Sequence, residues 1–332
     1  MSVLLTTNPG IEESVVSELQ DHGTFTTQVR PYGFAGHVFV HEHIPDICQR
    51  LRSIHHILVP IYRFPFIAMD DLLETLQGVQ IDALHDARTF RVTCNRSGTH
   101  DFTSMDVQRE AGAVIQKRYG LCVDLKGFDV EVRIDIHGER CFVSTQETRK
   151  ALSSRYTRIY EPRAGLKANV AYAMIRLAQP QYALLDPFCG SGTILLEAAG
   201  AYPGLALYGS DVNEDAVEGT RVNAEANGVS ITVRHVDARD LLSAYSYGFD
   251  AIATNPPYGI RLGKRLDFYR LYNRFLRQAY DLLVPGGRLV ILVFKRKPFR
   301  DALKNTRFII TYNKVIEVGE VYPRLYALHK GE

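Results

Sequence analysis

The sequence predicts an α/β protein: a doubly wound, mostly parallel sheet in the C-terminal half, preceded by smaller α+β domains. Three observations carry this expectation. The apolar run 182–185 leads into the glycine-rich stretch Asp186-Pro187-Phe188-Cys189-Gly190-Ser191-Gly192-Thr193, which opens the apolar-periodic segment 194–199. Strand, tight turn and helix in that order are the layout of a nucleotide-type site. Downstream, the runs 205–211, 231–236 and 249–253 read as further strands, each leading to a polar group: Asp211, Asp237 and Asn255. Ahead of them, residues 3–64 follow a β-α-β-β-α-β order, the ferredoxin-like pattern.

The chain has 332 residues, more than one typical domain holds, so two or three are expected. An apolar fraction of 46% supports sizeable cores, and a net charge of +2 is too small to name a partner. No apolar run approaches the roughly 20 residues that span a bilayer, and residues 1–10 lack the basic start and apolar centre of a secretion signal. The five cysteines, Cys48, Cys94, Cys122, Cys141 and Cys189, are odd in number and lack Cys-x-x-Cys spacing. Reduced thiols of a cytoplasmic protein fit that pattern better than disulfides or metal ligands. His41, His43, His55 and His56 have no Cys or Glu partner at ligand spacing, so no metal is expected. Internal repeats and low-complexity tracts are absent from the sequence.

Taken in order, residues 3–6 read as a strand, and Ile11, Val15, Val16 and Leu19 then recur at helical spacing. Strands are expected at 25–31 and 37–41, a helix over about 45–55 and a strand over 58–64. Residues 70–78 read as an amphipathic helix, 90–96 as a strand with a basic face, and 104–119 as a long helix striped by Val107, Ala111, Val114 and Ile115. Further strands follow at 123–126, 130–136 and 141–145. Arg91 and Arg96 on one strand suit RNA phosphates and suit a solvated sheet face equally well. The connector 149–167 is basic: Arg149, Lys150, Arg155, Arg158, Arg163 and Lys167 are interleaved with Tyr156 and Tyr160. That mixture suits a nucleic acid backbone and its bases. Residues 169–178 then open the C-terminal domain as a helix. Beyond the fourth strand come a short basic loop, 259–265, read as a lid, and a helix over 268–283. The turn Pro285-Gly286-Gly287, a fifth strand over 288–294, the basic cluster Lys295, Arg296, Lys297 and Arg300, and a hairpin from 308–318 and 321–329 complete the chain.

Ligands in such sheets bind beyond the carboxyl ends of the strands. Gly190 and Gly192 leave no side chain between backbone and ligand. The turn lacks the Lys-Ser/Thr pair of a phosphate-gripping loop, and Asp186 would repel phosphate. An acid here suits a positively charged ligand, such as the amino group of S-adenosylmethionine. Asp211, about 20 residues past the glycines, is placed to hold ribose hydroxyls, and Asp237 to meet an adenine edge. Asn255-Pro256-Pro257-Tyr258 suits methyl transfer to an amino group. An exocyclic amine is a poor nucleophile because its lone pair is delocalised. Two acceptors, the Asn255 side-chain oxygen and the Pro256 carbonyl, would draw it toward tetrahedral geometry. The prolines stiffen the loop, and Tyr258 can stack on an extruded base.

These segments resemble a class I, Rossmann-like S-adenosylmethionine-dependent methyltransferase of the amino-methylating kind. The resemblance implies a cofactor site of Asp186, Phe188, Gly190, Gly192, Thr193, Asp211, Val212, Asp237, Ala238 and Asn255, with Leu166 from the connector. DNA adenine, protein glutamine and RNA guanine methyltransferases share the Asn-Pro-Pro-Tyr motif, so the motif alone leaves the substrate open. The strand 90–96, Ser97-Gly98-Thr99-His100, the helix 104–119 and the strands after it resemble a THUMP RNA-binding domain over about 81–148. Arg163-Ala164-Gly165-Leu166-Lys167 resembles the entry to the cofactor domain of THUMP methyltransferases, with Ala168 where a proline is usual. Together with Thr7-Asn8-Pro9-Gly10-Ile11-Glu12 and Val321-Tyr322-Pro323-Arg324, nearly the whole chain resembles the bacterial THUMP-domain tRNA (guanine-6 N2) methyltransferase family.

That family implies a ferredoxin-like domain at 1–66, a THUMP domain at 67–148, a basic linker at 149–167 and a methyltransferase domain at 168–332. It implies formation of N2-methylguanosine at position 6 of the tRNA acceptor stem, by direct transfer from S-adenosylmethionine to a flipped guanine. Asn255, Pro256, Pro257 and Tyr258 would carry the chemistry. RNA contacts are expected from Arg91, Arg96, His100, Arg155, Arg163, Arg261, Lys295 and Lys297, with the acceptor stem and 3′ end of tRNA as partner. A cytoplasmic monomer without membrane association is expected. Two other readings stand beside this one: a guanine-N2 methyltransferase acting on ribosomal RNA, and a non-catalytic RNA-binding protein with a relic methyltransferase fold.

Overall fold

A computed structural model describes every residue except Met1, His43, Arg163, Ala164, 260–265, Glu320 and Glu332. The chain divides into two compact units, Met1–Thr7 with Val15–Leu152, and Asn8–Ser14 with Ser153–Glu332. Among the described residues no helix is long and apolar enough to cross a membrane.

The N-terminal half runs β1 (Val3–Thr6), α1 (Glu12–Gln20), β2 (Thr27–Val29), β3 (His37–Val40), α2 (Pro45–Cys48), β4 (His56–Pro65), α3 (Met69–Gly78), β5 (Thr89–Ser97), α4 (Ser104–Tyr119), β6 (Cys122–Val123), β7 (Val130–His137) and β8 (Arg140–Gln146). The β-α-β-β-α-β opening is therefore present. All eight strands share one sheet, ordered β2-β3-β1-β4-β8-β7-β5-β6. Alternate strand residues face the helices: Val3, Leu5, Val38 and Ile57 pack with Val15 and Leu19 of α1. Further along the sheet, Phe90, Val92, Val132 and Ile134 pack with Leu72 and Leu76 of α3 and with Val107, Ala111 and Ile115 of α4. Helix α4 has the bounds its stripe predicts because both ends are marked. Thr103 and Asp106 form a capping box, and Gly120 closes the helix at φ 69°.

Several elements are shorter than expected, and for two the cause is plain. The helix expected over 45–55 stops at Cys48, because the Glu18 carboxylate captures the chain beyond it. Glu18 accepts from the Arg52 amide at 2.8 Å, the Ser53 amide at 3.0 Å and the Ser53 hydroxyl at 2.5 Å. The strand expected over 123–126 ends at Val123, where the Asp124 carboxylate accepts from the Lys126 and Gly127 amides, each at 2.8 Å, and turns the backbone.

The second unit runs α5 (Ala168–Ala178), β9 (Ala183–Asp186), α6 (Thr193–Ala201), β10 (Ala206–Asp211), α7 (Glu214–Ala226), β11 (Thr232–His235), β12 (Phe249–Thr254), α8 (Phe268–Leu282), β13 (Leu283–Val293), α9 (Arg296–Leu303), β14 (Phe308–Val315) and β15 (Arg324–Lys330). Its seven-stranded sheet has the order β11-β10-β9-β12-β13-β15-β14. The strands from β11 to β13 pair in parallel, and β15 pairs antiparallel with both β13 and β14. The expected turn at Pro285-Gly286-Gly287 is a bulge within β13, which pairs with β12 on either side of it. Helices cover both faces. One core gathers α5, α6 and α7 around residues such as Leu184, Ala253 and Val290. The other sets Tyr272, Phe275 and Leu276 of α8 and Phe299 of α9 against Leu185, Ile252 and Ile291.

The segment Asn8–Ser14 belongs to this unit, which gives its motif a structural reason. Asn8 Nδ2 donates to the Glu317 carbonyl at 2.8 Å, Asn169 Nδ2 donates to Asn8 Oδ1 at 2.9 Å, and the Glu317 amide donates to the Pro9 carbonyl at 2.8 Å. Gly10 adopts φ +101°, and a Cβ there would lie 2.5 Å from the Val315 carbonyl oxygen. No other residue fits that position.

Candidate active site

The chain reverses direction across the sheet at β9, which has β10 on one side and β12 on the other. That switch point opens a crevice at the strand carboxyl ends. Asp186 ends β9 and is 1% exposed. Its Oδ1 accepts from the Thr254 hydroxyl at 2.7 Å and from the Phe188 amide at 3.1 Å. Burial pushes its carboxyl up to about 7; the two hydrogen bonds pull it down and Asp211 adds to the rise. A buried carboxyl raised in this way suits a cationic ligand.

The turn after Asp186 is held from behind. Gly190 and Gly192 adopt φ +55° and +79°. The Thr220 hydroxyl donates to the Gly190 carbonyl at 2.9 Å, and Asn223 Nδ2 donates to the Ser191 carbonyl at 3.0 Å. A Cβ on Gly192 would approach Thr220 Cγ2 to 3.0 Å. Asp211, which ends β10, accepts from the Gly190 amide at 3.1 Å and the Asn213 amide at 2.9 Å. Phe188 packs edge-on against Phe275, with ring centroids 5.5 Å apart. Val212 is exposed, whereas Ala238 and Leu166 are buried. Thr193 begins α6 behind Gly192. Asp237, just past β11, is clasped by Arg239, whose Nε lies 2.9 Å and Nη2 2.5 Å from its oxygens. This pair holds the Asp237 carboxyl below its usual range.

Beyond β12, the Asn255 side-chain oxygen and the Tyr258 hydroxyl are both buried without a well-formed hydrogen bond among the described residues. Burial raises the Tyr258 phenol, and the neighbouring Asn255 side chain counters it. Tyr258 stacks on Phe294, with centroids 5.6 Å apart and planes 25° apart. Pro256 is buried and Pro257 half-buried. Lys295 Nζ lies 5.5 Å from the Phe294 centroid, and Lys297 is exposed on α9. A recess beside Phe294 is lined by Arg296, Val321 and Tyr322.

The arginines expected at RNA are variously committed. Arg91 Nη2 lies 2.7 Å from Glu131, with its guanidinium over the Phe128 ring. Arg96 Nη1 donates to His100 Nδ1 at 2.8 Å, and His100 Nε2 faces the Gly138 carbonyl at 2.8 Å. Arg155 departs furthest from expectation: its guanidinium lies 2.7 Å from the fully buried Glu197 carboxylate on α6. Arg163, Arg261 and the lid 260–265 lie outside the described residues.

Several side chains that shape the crevice carry no sequence signal. Thr254 is an ordinary β-branched strand residue until its hydroxyl is found on Asp186. Thr220 and Asn223 stand three apart on α7, so one face of that helix carries both. Arg239 could have been suspected from its position two residues after Asp237.

An S-adenosylmethionine-type ligand fits these residues. The crevice presents the buried Asp186, the half-buried Asp211 and Asp237, a turn open to backbone approach and, among the described residues, an acceptor at Asn255 without a donor. Comparison with known proteins agrees. The RMKL-like methyltransferase domain model matches residues 155–323, and the THUMP domain model residues 68–146. The tRNA (guanine(6)-N2)-methyltransferase of Thermus thermophilus is 38% identical over 84% of this chain and 85% of its own length. That of Archaeoglobus fulgidus is 29% identical over 96% of this chain and 90% of its own. The crystal structure of TrmN from Thermus thermophilus superposes with a TM-score of 0.80 at 34% identity, covering 99% of both chains. The chain is thus a methyltransferase with a THUMP domain, and it belongs to the tRNA (guanine(6)-N2)-methyltransferase family.

Proposed function

We propose that this enzyme methylates the exocyclic N2 of guanine 6 in the acceptor stem of tRNA, on a base flipped out of its pair. The observation that carries this reading is the buried, unsatisfied Asn255 side-chain oxygen beside the stacking ring of Tyr258. A buried acceptor left without a donor costs about 1–3 kcal/mol, a cost that an incoming amine would relieve. The named activity of the relatives supports tRNA and guanine as the substrate.

Asp186, Asp211 and the amides of the glycine turn would hold the cofactor, with Phe188, Thr193, Val212, Ala238 and Leu166 around it. Asp237 would share its carboxylate between Arg239 and an adenine amino group. When bound, S-adenosylmethionine supplies a methyl group already activated by its sulfonium. The Asn255 oxygen and the Pro256 carbonyl would accept the two hydrogens of the guanine amine and aim its lone pair at that methyl. Tyr258 and Phe294 would offer ring faces to the base. Flipping a paired base costs a few kcal/mol, which stacking on these rings would offset. The proton leaves the amine after transfer, when its nitrogen is cationic and strongly acidic, so a dedicated strong base is unnecessary. We also propose the four-part division at 66/67, 148/149 and 167/168, with the THUMP domain holding the tRNA 3′ end.

The test is to incubate the enzyme with unmodified tRNA and labelled S-adenosylmethionine, digest the product and map the methylated nucleoside. N2-methylguanosine at position 6 is expected. A product at another guanine would remove the acceptor-stem assignment, and a methylated adenosine would remove guanine.

A further inference from the structure

The middle of the connector, residues 155–160, is bound to the cofactor domain at several points. Arg155 pairs with buried Glu197 on α6 at 2.7 Å. The Thr157 amide donates to Asn227 Oδ1 at 3.0 Å, and Asn227 Nδ2 donates back to the Thr157 carbonyl at 2.8 Å. The Ile159 and Tyr160 amides donate to Asn223 Oδ1 at 2.8 and 2.9 Å, and Asn223 Nδ2 donates to the Tyr160 carbonyl at 2.8 Å. Asn223 is fully buried. Its amide nitrogen also donates to the Ser191 carbonyl at 3.0 Å.

One primary amide therefore holds the connector and the glycine-rich turn at once. It uses both lone pairs and both protons, the full capacity of an asparagine side chain. No other residue offers two acceptors and two donors at that reach; Asp lacks the donors, and Gln is longer by a methylene. Nearby, the Tyr160 ring lies flat on α7 where Gly219 has no side chain: a Cβ there would fall 2.2 Å from Tyr160 Cδ1.

We propose that Asn223 is a positioning residue coupling the connector to the cofactor turn, with the Tyr160 ring seated on α7 at Gly219. Binding and connector order are then linked: a ligand that fixes the glycine turn also fixes Ser191, Asn223 and the backbone of Ile159 and Tyr160. By reciprocity, a connector held in place improves the ligand's affinity by the same factor. This inference rests on the reading of the crevice as an S-adenosylmethionine site.

The test uses the full chain and S-adenosylhomocysteine, with two readouts that do not depend on turnover. The first is hydrogen exchange at the Ile159 and Tyr160 amides with and without the ligand. The second is its Kd by calorimetry for wild type, Asn223→Ala, Tyr160→Ala and Asn227→Ala. Ligand should slow exchange at both amides in the wild type, and Asn223→Ala should erase that protection and raise Kd roughly tenfold. Tyr160→Ala, which keeps the backbone bonds to Asn223, should retain the ligand-induced protection at Ile159; its loss there would overturn the role given to Asn223. Asn227→Ala should free the Thr157 amide and leave Kd within about twofold of wild type, since it does not touch the glycine turn. Wild-type exchange that ignores the ligand would overturn the coupling without any variant having to fold. Equal weakening by Asn223→Ala and Asn227→Ala would overturn it too, by making the effect a general loosening. Wild type that fails to bind the ligand at all would instead sink the cofactor reading itself.

Discussion

Replacing Asp186 by Asn removes a charge while keeping the shape of the side chain, and its consequences can be worked from the structure. The Oδ1 that receives Thr254 and Phe188 remains an acceptor in the amide. What disappears is ionisation of a carboxyl whose pKa burial lifts from 3.8 to about 7. Between those values the folded protein binds the proton and the unfolded chain does not, so wild-type stability falls as pH rises from about 4 to about 7 and then levels. A rise of about three pKa units corresponds to about 4 kcal/mol. Asp186→Asn should therefore match wild type in urea unfolding near pH 4 and exceed it by up to about 4 kcal/mol at pH 8. Its affinity for S-adenosylmethionine should fall, because the amide offers no charge to a cationic ligand. In the wild type that affinity should climb with pH up to about 7, as the carboxylate becomes available. A stability difference that stays constant from pH 4 to pH 8 would refute the claim that Asp186 is held part-neutral by burial.

Other consequences are equally direct. Asn255→Ala removes an acceptor made for the transition state and should cost about 10²–10³ in kcat with tRNA affinity retained; near-normal turnover would contradict its role. Thr254→Val takes the hydroxyl from Asp186 and should cost about 1.5–3 kcal/mol at pH 8, less at pH 5, measured by the same urea titrations. Arg155→Ala should destabilise the second unit by up to about 3–5 kcal/mol because it strips a cation from buried Glu197. The salt dependence of its tRNA binding should stay near that of wild type; a flattened slope would return Arg155 to the RNA surface.

Most of the fold was legible because its periodicities are strong and its ends are marked. Helix α4 carries a four-residue apolar stripe, a Thr103–Asp106 box and a terminal Gly120, and its bounds follow from those residues alone. The strands around Asp186, Asp211 and Asn255 were legible because parallel strands buried on both faces read as short apolar runs. Where reading failed, a side chain distant in sequence had intervened. Residues 49–55 look helical in isolation, but Glu18 takes the Arg52 and Ser53 amides. The same reason hides part of the site. A basic connector rich in tyrosine reads as an RNA track, whereas Glu197, Asn223 and Asn227 bind its residues 155–160 to the cofactor domain. The acids of the crevice could be found from strand ends; the hydroxyls and amides that hold them could not, because Thr254 and Thr220 look like any buried strand or helix threonine.

The central claim is that the accepting atom is an exocyclic amine held by Asn255 and the loop after it. The most direct measurement compares methyl incorporation into two otherwise identical tRNAs, one with guanosine and one with inosine at position 6. Inosine keeps the ring and lacks only the amine. The account predicts robust transfer to the first and none to the second, with both tRNAs bound at similar affinity. Labelled methyl recovered on the inosine at position 6 would mean that a ring atom is the acceptor, and the role assigned to Asn255 would have to be abandoned.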